Sequence, residues 1–336
     1  MRIGNNPEKE KSKISKTCLH RIIVPVYIPN LDIGYFKDGL EILKICLKSL
    51  FSTTNNSVRI SVFNNGSCEQ VEEFLLNLYN QEDRFDQILN SKVNIGKVNA
   101  INAVVKSTES LLYTISDADV MFLQGWQQNV EEVFNNFPEA GMVSPVPSSK
   151  AFSYYTASTL FYGLFKGKLS FEKVRNPNAL CMFEQSIGSS LYKPCHLRNY
   201  LVVNNNSGKK AVMGCGHFVA TLRKEVFYSS PNKPSDTKIS GGSEATYIDI
   251  PNDVGGFLRL ATLENYAYHL GNVLEPWMND FNDEEVKKSN EFLSNIYVKS
   301  RRLNNFERRL SKFFSRFFFG KFSFLFKKIY NIPKEY

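Results

Sequence analysis

Leu111-Leu112-Tyr113-Thr114-Ile115-Ser116-Asp117-Ala118-Asp119-Val120 is an apolar, β-branched run that ends in two carboxylates one residue apart. Such side chains favour a buried strand. A strand that delivers Asp-X-Asp at its carboxyl end presents oxygen ligands suited to a hard divalent cation, magnesium or manganese. Those cations bridge carboxylates to a diphosphate, which points toward nucleotide-sugar chemistry. The same three residues also suit a solvated turn, so the segments around them decide.

Upstream, β-branched runs alternate with helical patterns, the mark of an α/β fold with a largely parallel sheet. Residues 21–27 read as a strand, 40–51 as a helix, 58–63 as a second strand and 69–79 as a helix. A short strand at Ile88 and Leu89 follows, then a helix over 96–106 that feeds the strand carrying Asp117. Downstream, 126–134 is helical and 141–144 a strand. From Ser148 to Lys210 no clean period survives, and a long irregular segment inside an enzyme shapes a site or a lid. Residues 211–221 restore one strand-like run, 244–253 is polar and helical, and 257–261 and 266–270 read as closing strands.

Composition limits the alternatives. The chain has 336 residues, 43% of them hydrophobic, enough for one large domain or a domain with an appendage. No apolar stretch approaches the length of a spanning helix, and residues 1–19 read as a flexible polar lead without a signal-peptide core. Six cysteines without a Cys-X-X-Cys pair fit a reducing cytosol and argue against structural zinc. Of the net charge of +8, residues 296–336 carry +9, so the body is close to neutral and the tail is basic.

In open α/β sheets ligands bind beyond the carboxyl ends of the strands. The polar residues that end successive strands are Pro25 and Tyr27, then Asn64 and Asn65, then Asn94, Gly96, Lys97 and Asn102, then Asp117 and Asp119. In this order they resemble the inverting family-2 glycosyltransferases of the GT-A fold. The matching pieces are Ile23-Val24-Pro25-Val26-Tyr27, Val62-Phe63-Asn64-Asn65-Gly66-Ser67, Asn94-Ile95-Gly96-Lys97 with Asn99 and Asn102, and Asp117-Ala118-Asp119. The resemblance spans about residues 20–272 and implies a Rossmann-like, mixed but mainly parallel sheet flanked by helices. It divides the chain into a donor half (20–145), an acceptor half (146–275) and a helical, amphipathic, basic extension (276–336).

The resemblance also implies roles. Asp117 and Asp119, with His269 of Tyr268-His269-Leu270-Gly271, would hold a divalent metal, and Asp117 would alternatively reach the ribose. Pro25, Tyr27, Asn64, Asn94, Gly96, Lys97 and Asn102 would bind the nucleoside diphosphate, with Lys97 and the backbone N–H groups near Gly96 adding positive potential. Asn64 stands where the family usually carries Asp, which leaves the base preference open. The catalytic base falls on Glu244 within Gly241-Gly242-Ser243-Glu244, with Asp249 as the alternate. In an inverting transfer that carboxylate takes the acceptor hydroxyl's proton as its oxygen attacks the anomeric carbon. Cys215 and His217 invite a nucleophile reading, which a small-residue strand lining the acceptor pocket outweighs.

The expected activity is therefore hexosyl transfer from a nucleoside-diphosphate sugar to a glycan or lipid-linked acceptor, in surface polysaccharide synthesis. A sugar-phosphate nucleotidyltransferase and a catalytically silent glycan- or membrane-binding module are the alternatives. In the tail, Leu310, Phe313, Phe314, Phe317 and Phe318 recur at helical spacing opposite Arg308, Arg309, Lys312 and Arg316. That pattern describes a helix drawn to an anionic membrane surface through residues 305–330, the alternative being that its phenylalanines pack on the catalytic domain or a partner subunit. It places the protein in the cytoplasm, peripheral to the inner face of the plasma membrane, with no nucleic-acid partner.

Overall fold

The structure, a computed structural model, describes residues 3–6, 9, 18–239, 242–280 and 300–336. Most of the polar lead, Gly241 and residues 281–299 of the expected extension lie outside the described residues.

Four strands run parallel in the order β3-β2-β1-β4: β1 (His20–Val26), β2 (Arg59–Asn65), β3 (Phe85–Ser91) and β4 (Leu112–Ser116). They are linked by α1 (Gly39–Thr53), α2 (Glu69–Gln81) and α3 (Lys97–Ser107). The side chains of β1, β2 and β4 are buried on both faces, as crossover helices require, while those of the edge strand β3 are only partly buried. Ile22, Val24, Ile60 and Val62 pack on one side of the sheet and Ile23, Ile115 and Tyr113 on the other. All four strands end at the same edge, where the sequence placed the ligand.

Beyond β4 the sheet departs from chain order. After α4 (Trp126–Asn136), strand β6 (Ala140–Ser144) lies two places from β4, because β10 (Val219–Arg223) inserts between them antiparallel to both. Strand β11 (Leu258–Ala261) runs parallel to β6 on its other side. The two halves of the chain therefore share one ten-stranded sheet.

The stretch from Ser148 to Lys210 is not irregular. It contains α5 (Ala157–Phe165), β7 (Lys168–Lys173), α6 (Pro177–Ser186), α7 (Pro194–Arg198) and β8 (Asn199–Asn204). Its period was hidden because the helices are short and the outer strand β7 is only half buried, so neither shows a full apolar stripe. Asn176 caps α6 by accepting from the Ala179 N–H at 3.1 Å, with Pro177 at the first helical position. The single run expected over 211–221 is likewise two strands, β9 (Lys210–Met213) and β10, broken where Gly214 turns at φ +84°.

The strand expected at 266–270 forms but does not close the main sheet. As β12 (Ala267–His269) it pairs antiparallel with β5 (Val120–Phe122), a strand the sequence reading missed, in a separate ribbon. That register sets His269 opposite Val120, directly after Asp119.

The tail folds back onto the body as α9 (Asn305–Arg316) and α10 (Ser323–Ile329). Asn304 and Glu307 form a reciprocal capping box at the start of α9, and Glu307 also pairs with Lys166 at 2.8 Å. The single aromatic face expected for a membrane helix is divided. Phe314 meets Phe165 at 5.0 Å between ring centres, Phe319 meets Phe152 at 5.5 Å, and Phe326 is 2% exposed within the main core. Phe306, Phe313, Phe324 and Ile329 stay exposed.

Because Phe326 sits in the core, Phe326→Ala should lower global stability by about 3 kcal/mol or more in urea unfolding, with one transition. A separate early transition would show instead that the tail unfolds independently.

Candidate functional site

At the carboxyl end of β4, Asp117 is held by its own N–H, which donates to the Phe218 carbonyl at 2.8 Å. Lys97, the first residue of α3, reaches across and places its ammonium between Asp117 and Glu244 Oε1, the latter at 2.5 Å. Burial opposes the charge on Lys97, but the two carboxylates outweigh that cost and hold its pKa above the usual lysine value. Lys97 thus ties the Asp-X-Asp corner to the expected base.

The chain of charge continues inward. The His217 imidazole stands 3.2 Å from Glu244 Oε2 through Nε2 and 3.3 Å from Asp249 Oδ2 through Nδ1. Asp249 has no solvent exposure and lies 3.1 Å from Arg259, itself completely buried beneath the Tyr154 ring. Anion and cation alternate from Asp117 through Lys97, Glu244, His217 and Asp249 to Arg259. Burial alone would raise the Glu244 pKa, but His217 and Lys97 bring it down to about 2. Burial alone would lower that of His217, but Asp249 and Glu244 lift it to about 9.

The backbone explains why these groups meet. Glu244 leads into a π-helical turn, Ala245–Asp249, that continues as α8 (Ile250–Val254). The extra residue per turn brings Asp249, five positions on, beneath the same imidazole. Gly96, at φ +92°, sits under the 237–238 backbone, where an added Cβ would stand 2.9 Å from the Thr237 carbonyl.

Two of the three residues expected to hold a metal stand close together. Asp119 Oδ2 lies 3.4 Å from His269 Nε2, while Oδ1 is buried without a hydrogen-bond partner. Burial first, and then the neighbouring Asp117, raise the Asp119 pKa against the pull of His269, a tension that a bound dication would relieve. His269 Nδ1 meets Ser186 Oγ at 2.9 Å, which orients the ring. These two side chains fit a hard divalent cation, with the remaining positions left to diphosphate and water oxygens. Among the described residues no three metal-binding side chains converge, and the Asp117 carboxylate is engaged by Lys97.

The remaining expected residues divide between wall and scaffold. Tyr27 stands half-exposed at the end of β1, with its ring edge 5.9 Å from Phe36, and Pro25 pairs in register with Phe63. Asn64 Oδ1 accepts from the Ser67 N–H at 3.1 Å, and Asn94 Oδ1 accepts from the Gly96 N–H at 2.8 Å, so both side chains build turns. The N–H groups of Gly96 and Lys97 are themselves bonded, the second to the Lys238 carbonyl at 2.8 Å. These two N–H groups are therefore not free donors for a phosphate. Asn102 lies on α3 about 140° around the helix from Lys97 and joins none of these contacts among the described residues. Sequence reading did not single out Arg259, and it placed His217 on a strand lining the acceptor pocket rather than against Glu244. The one signal was His217 between glycine-flanked Cys215 and the strand β10.

Residues 22–227 match Glycosyl transferase family 2. No curated protein matches the chain. Among solved structures, it is similar to the mannosyltransferase PcManGT from Pyrobaculum calidifontis in complex with GDP-Man and Mn2+. That likeness has 13% identity and a TM-score of 0.41, over 73% of this chain and 54% of that one. It is similar also to S. aureus TarS 1-349, at 10% identity and a TM-score of 0.42, over 74% of this chain and 59% of that one. The chain thus spans a little over half the length of these structures.

The paired charges make stability pH-dependent in two windows. Glu244's contribution is complete above pH 4.5 and is lost as pH falls toward 2, whereas that of His217 is complete below pH 6.5 and is lost as pH rises through 9. Tm against pH should therefore decline on both sides of a plateau. Glu244→Gln should flatten the acid side and bring the alkaline decline to lower pH, and superimposable curves would contradict the pairing.

Proposed function

The chain belongs to glycosyl transferase family 2, and on that premise we propose that it transfers a hexosyl group, with inversion, from a nucleoside-diphosphate sugar to a hydroxyl of a glycan or lipid-linked acceptor. The observation that carries this reading is the bridge made by Lys97. One ammonium touches both Asp117, at the diphosphate corner, and Glu244, the proton acceptor. A single displacement needs its base and its leaving group on opposite sides of one sugar carbon, within a few ångströms of each other.

Glu244 takes the proton of the acceptor hydroxyl as that oxygen attacks. Asp249 is buried and already engaged by His217 and Arg259, so it serves Glu244 rather than replacing it as base. Lys97 draws the diphosphate toward Asp117 and stabilises the charge that develops as the leaving group departs. Asp119 and His269 would hold manganese or magnesium, which supplies Lewis-acid stabilisation of the diphosphate when bound. Tyr27 and the Asn64 turn border the nucleoside. Residues 20–145 bind the donor in this reading, residues 146–275 shape the acceptor side, and 276–336 form the extension.

The extension gives the reaction a place. No helix among the described residues is long and apolar enough to cross a membrane. The exposed Phe306, Phe313 and Phe324 lie among exposed Arg309, Lys312 and Lys321, a combination that suits adsorption to an anionic bilayer. In this reading the protein works at the cytoplasmic face of the plasma membrane on acceptors for surface polysaccharide.

Two experiments test the proposal. In a screen of nucleotide sugars with divalent metal, Glu244→Gln should lower kcat by about 10²–10⁴-fold and leave donor KM nearly unchanged. Asp119→Ala should abolish the metal dependence; wild-type rates in either variant would refute its assigned role. Separately, Phe313→Asp combined with Phe324→Asp should release the protein from phosphatidylglycerol liposomes at unchanged donor hydrolysis, and retention on the liposomes would reject the membrane assignment.

A further inference from the structure

We propose that His217 is a positioning residue of the transfer reaction: wedged between Glu244 and Asp249, its imidazole fixes the direction in which Glu244 meets the acceptor hydroxyl. The inference rests on Glu244 being the proton acceptor and adds a residue outside the motifs of the fold. Its first support is geometric. The two oxygens of Glu244 are divided between two cations, Oε1 to Lys97 at 2.5 Å and Oε2 to His217 at 3.2 Å. A carboxylate held by one oxygen still swings about its side-chain torsions, whereas one held by both keeps its plane.

The second support is what stands behind the imidazole. Asp249 has no exposure to solvent, and its carboxylate pairs with His217 and Arg259. Arg259 is anchored in β11, where its N–H donates to Thr159 Oγ1 at 2.9 Å and its guanidinium lies 5.1 Å from the Tyr154 ring centre. The imidazole is therefore paired on the core side with an anchored carboxylate and on the crevice side with Glu244. Both Asp249 oxygens stand at ion-pair distance without hydrogen-bond alignment, the loose geometry that catalytic contacts show before substrate arrives.

The third support excludes the rival role. His217 is 32% exposed at its side chain, more than the 18% of Glu244, so it borders the crevice and is itself a candidate base. Its two carboxylate partners outweigh burial and keep it protonated through neutral pH, with no lone pair free to accept the hydroxyl proton. The charged and titratable groups facing the Glu244–His217 pair are Lys97 from α3, Asp117 from the end of β4, Asp249 from the π-helical turn, Arg259 from β11 and the Tyr154 hydroxyl. All of them remain when His217 is replaced.

The test compares kcat, donor KM and pH profiles of wild type, His217→Gln and His217→Ala, with the donor nucleotide sugar and metal. Gln keeps an N–H donor toward Oε2 but no charge, so at alkaline pH it should retain kcat within about fivefold. Its acid limb should move up by at least about one pH unit, because the base loses a cation. Ala should lower kcat about 100-fold at unchanged donor KM. A His217→Gln profile that superimposes on wild type would overturn the proposal, as would a rise in donor KM at constant kcat, which would make His217 a donor contact. If His217→Ala fails to fold, as shown by loss of a cooperative thermal transition, the His217→Gln profile decides alone.

Discussion

A guanidinium with no contact with water has to be answered by an anion, and Arg259 is answered by an equally buried Asp249. That pair cannot end the matter, because Asp249 presents a second oxygen toward the crevice. His217 meets it, Glu244 meets His217, and Lys97 joins Glu244 to Asp117. The groups proposed for catalysis are thus the solvent-facing end of a charge alternation that begins in the core. Removing Asp249 would leave the buried Arg259 guanidinium without its carboxylate, a cost on the order of several kcal/mol.

The backbone delivers these six groups from five places in the chain, and the sheet order is what makes that feasible. Strand β10, inserted between β4 and β6, brings the His217 segment against the end of the strand that bears Asp117. Strand β11, beside β6, carries Arg259 under α5 and the π-helical turn. The separate ribbon of β5 and β12 does the same for the proposed metal corner, setting His269 beside Asp119 from 150 residues away. The tail closes the far side of this assembly, with Leu303 donating to the Gly256 carbonyl at 2.9 Å and Arg308 to that of Val254 at 2.8 Å.

What could be read from the sequence followed physical locality. Strands β1, β2 and β4 were legible because each is buried on both faces and spells its own apolar run, whereas the edge strand β3 showed only Ile88 and Leu89. Strand ends and a helix start pointed to Asp117, Asp119 and Lys97, and Glu244 came from the family resemblance. Asn64 and Asn94 were legible as polar strand ends, but not as turn builders, because the sequence does not say which way an amide faces. The segment from Ser148 to Lys210 was illegible because its outer strand and short helices bury only part of a face. The pairings of His217 and Arg259 were missed for a different reason. Their roles come from partners far away in sequence, and a lone histidine or arginine carries no period. In the tail the helical spacing was right, while the division of its phenylalanines between core and solvent depends on α5, which the sequence did not reveal.

The charge alternation can be measured directly, without knowing either substrate. Titrating the four histidines by ¹⁵N-detected NMR would report the protonation state of His217 in place. If the imidazole is wedged between two carboxylates, it should stay doubly protonated through neutral pH and titrate at about 9. Titration at or below the ordinary value of 6.5 would mean that Glu244 and Asp249 do not hold it, and the chain from the core to the base would be broken.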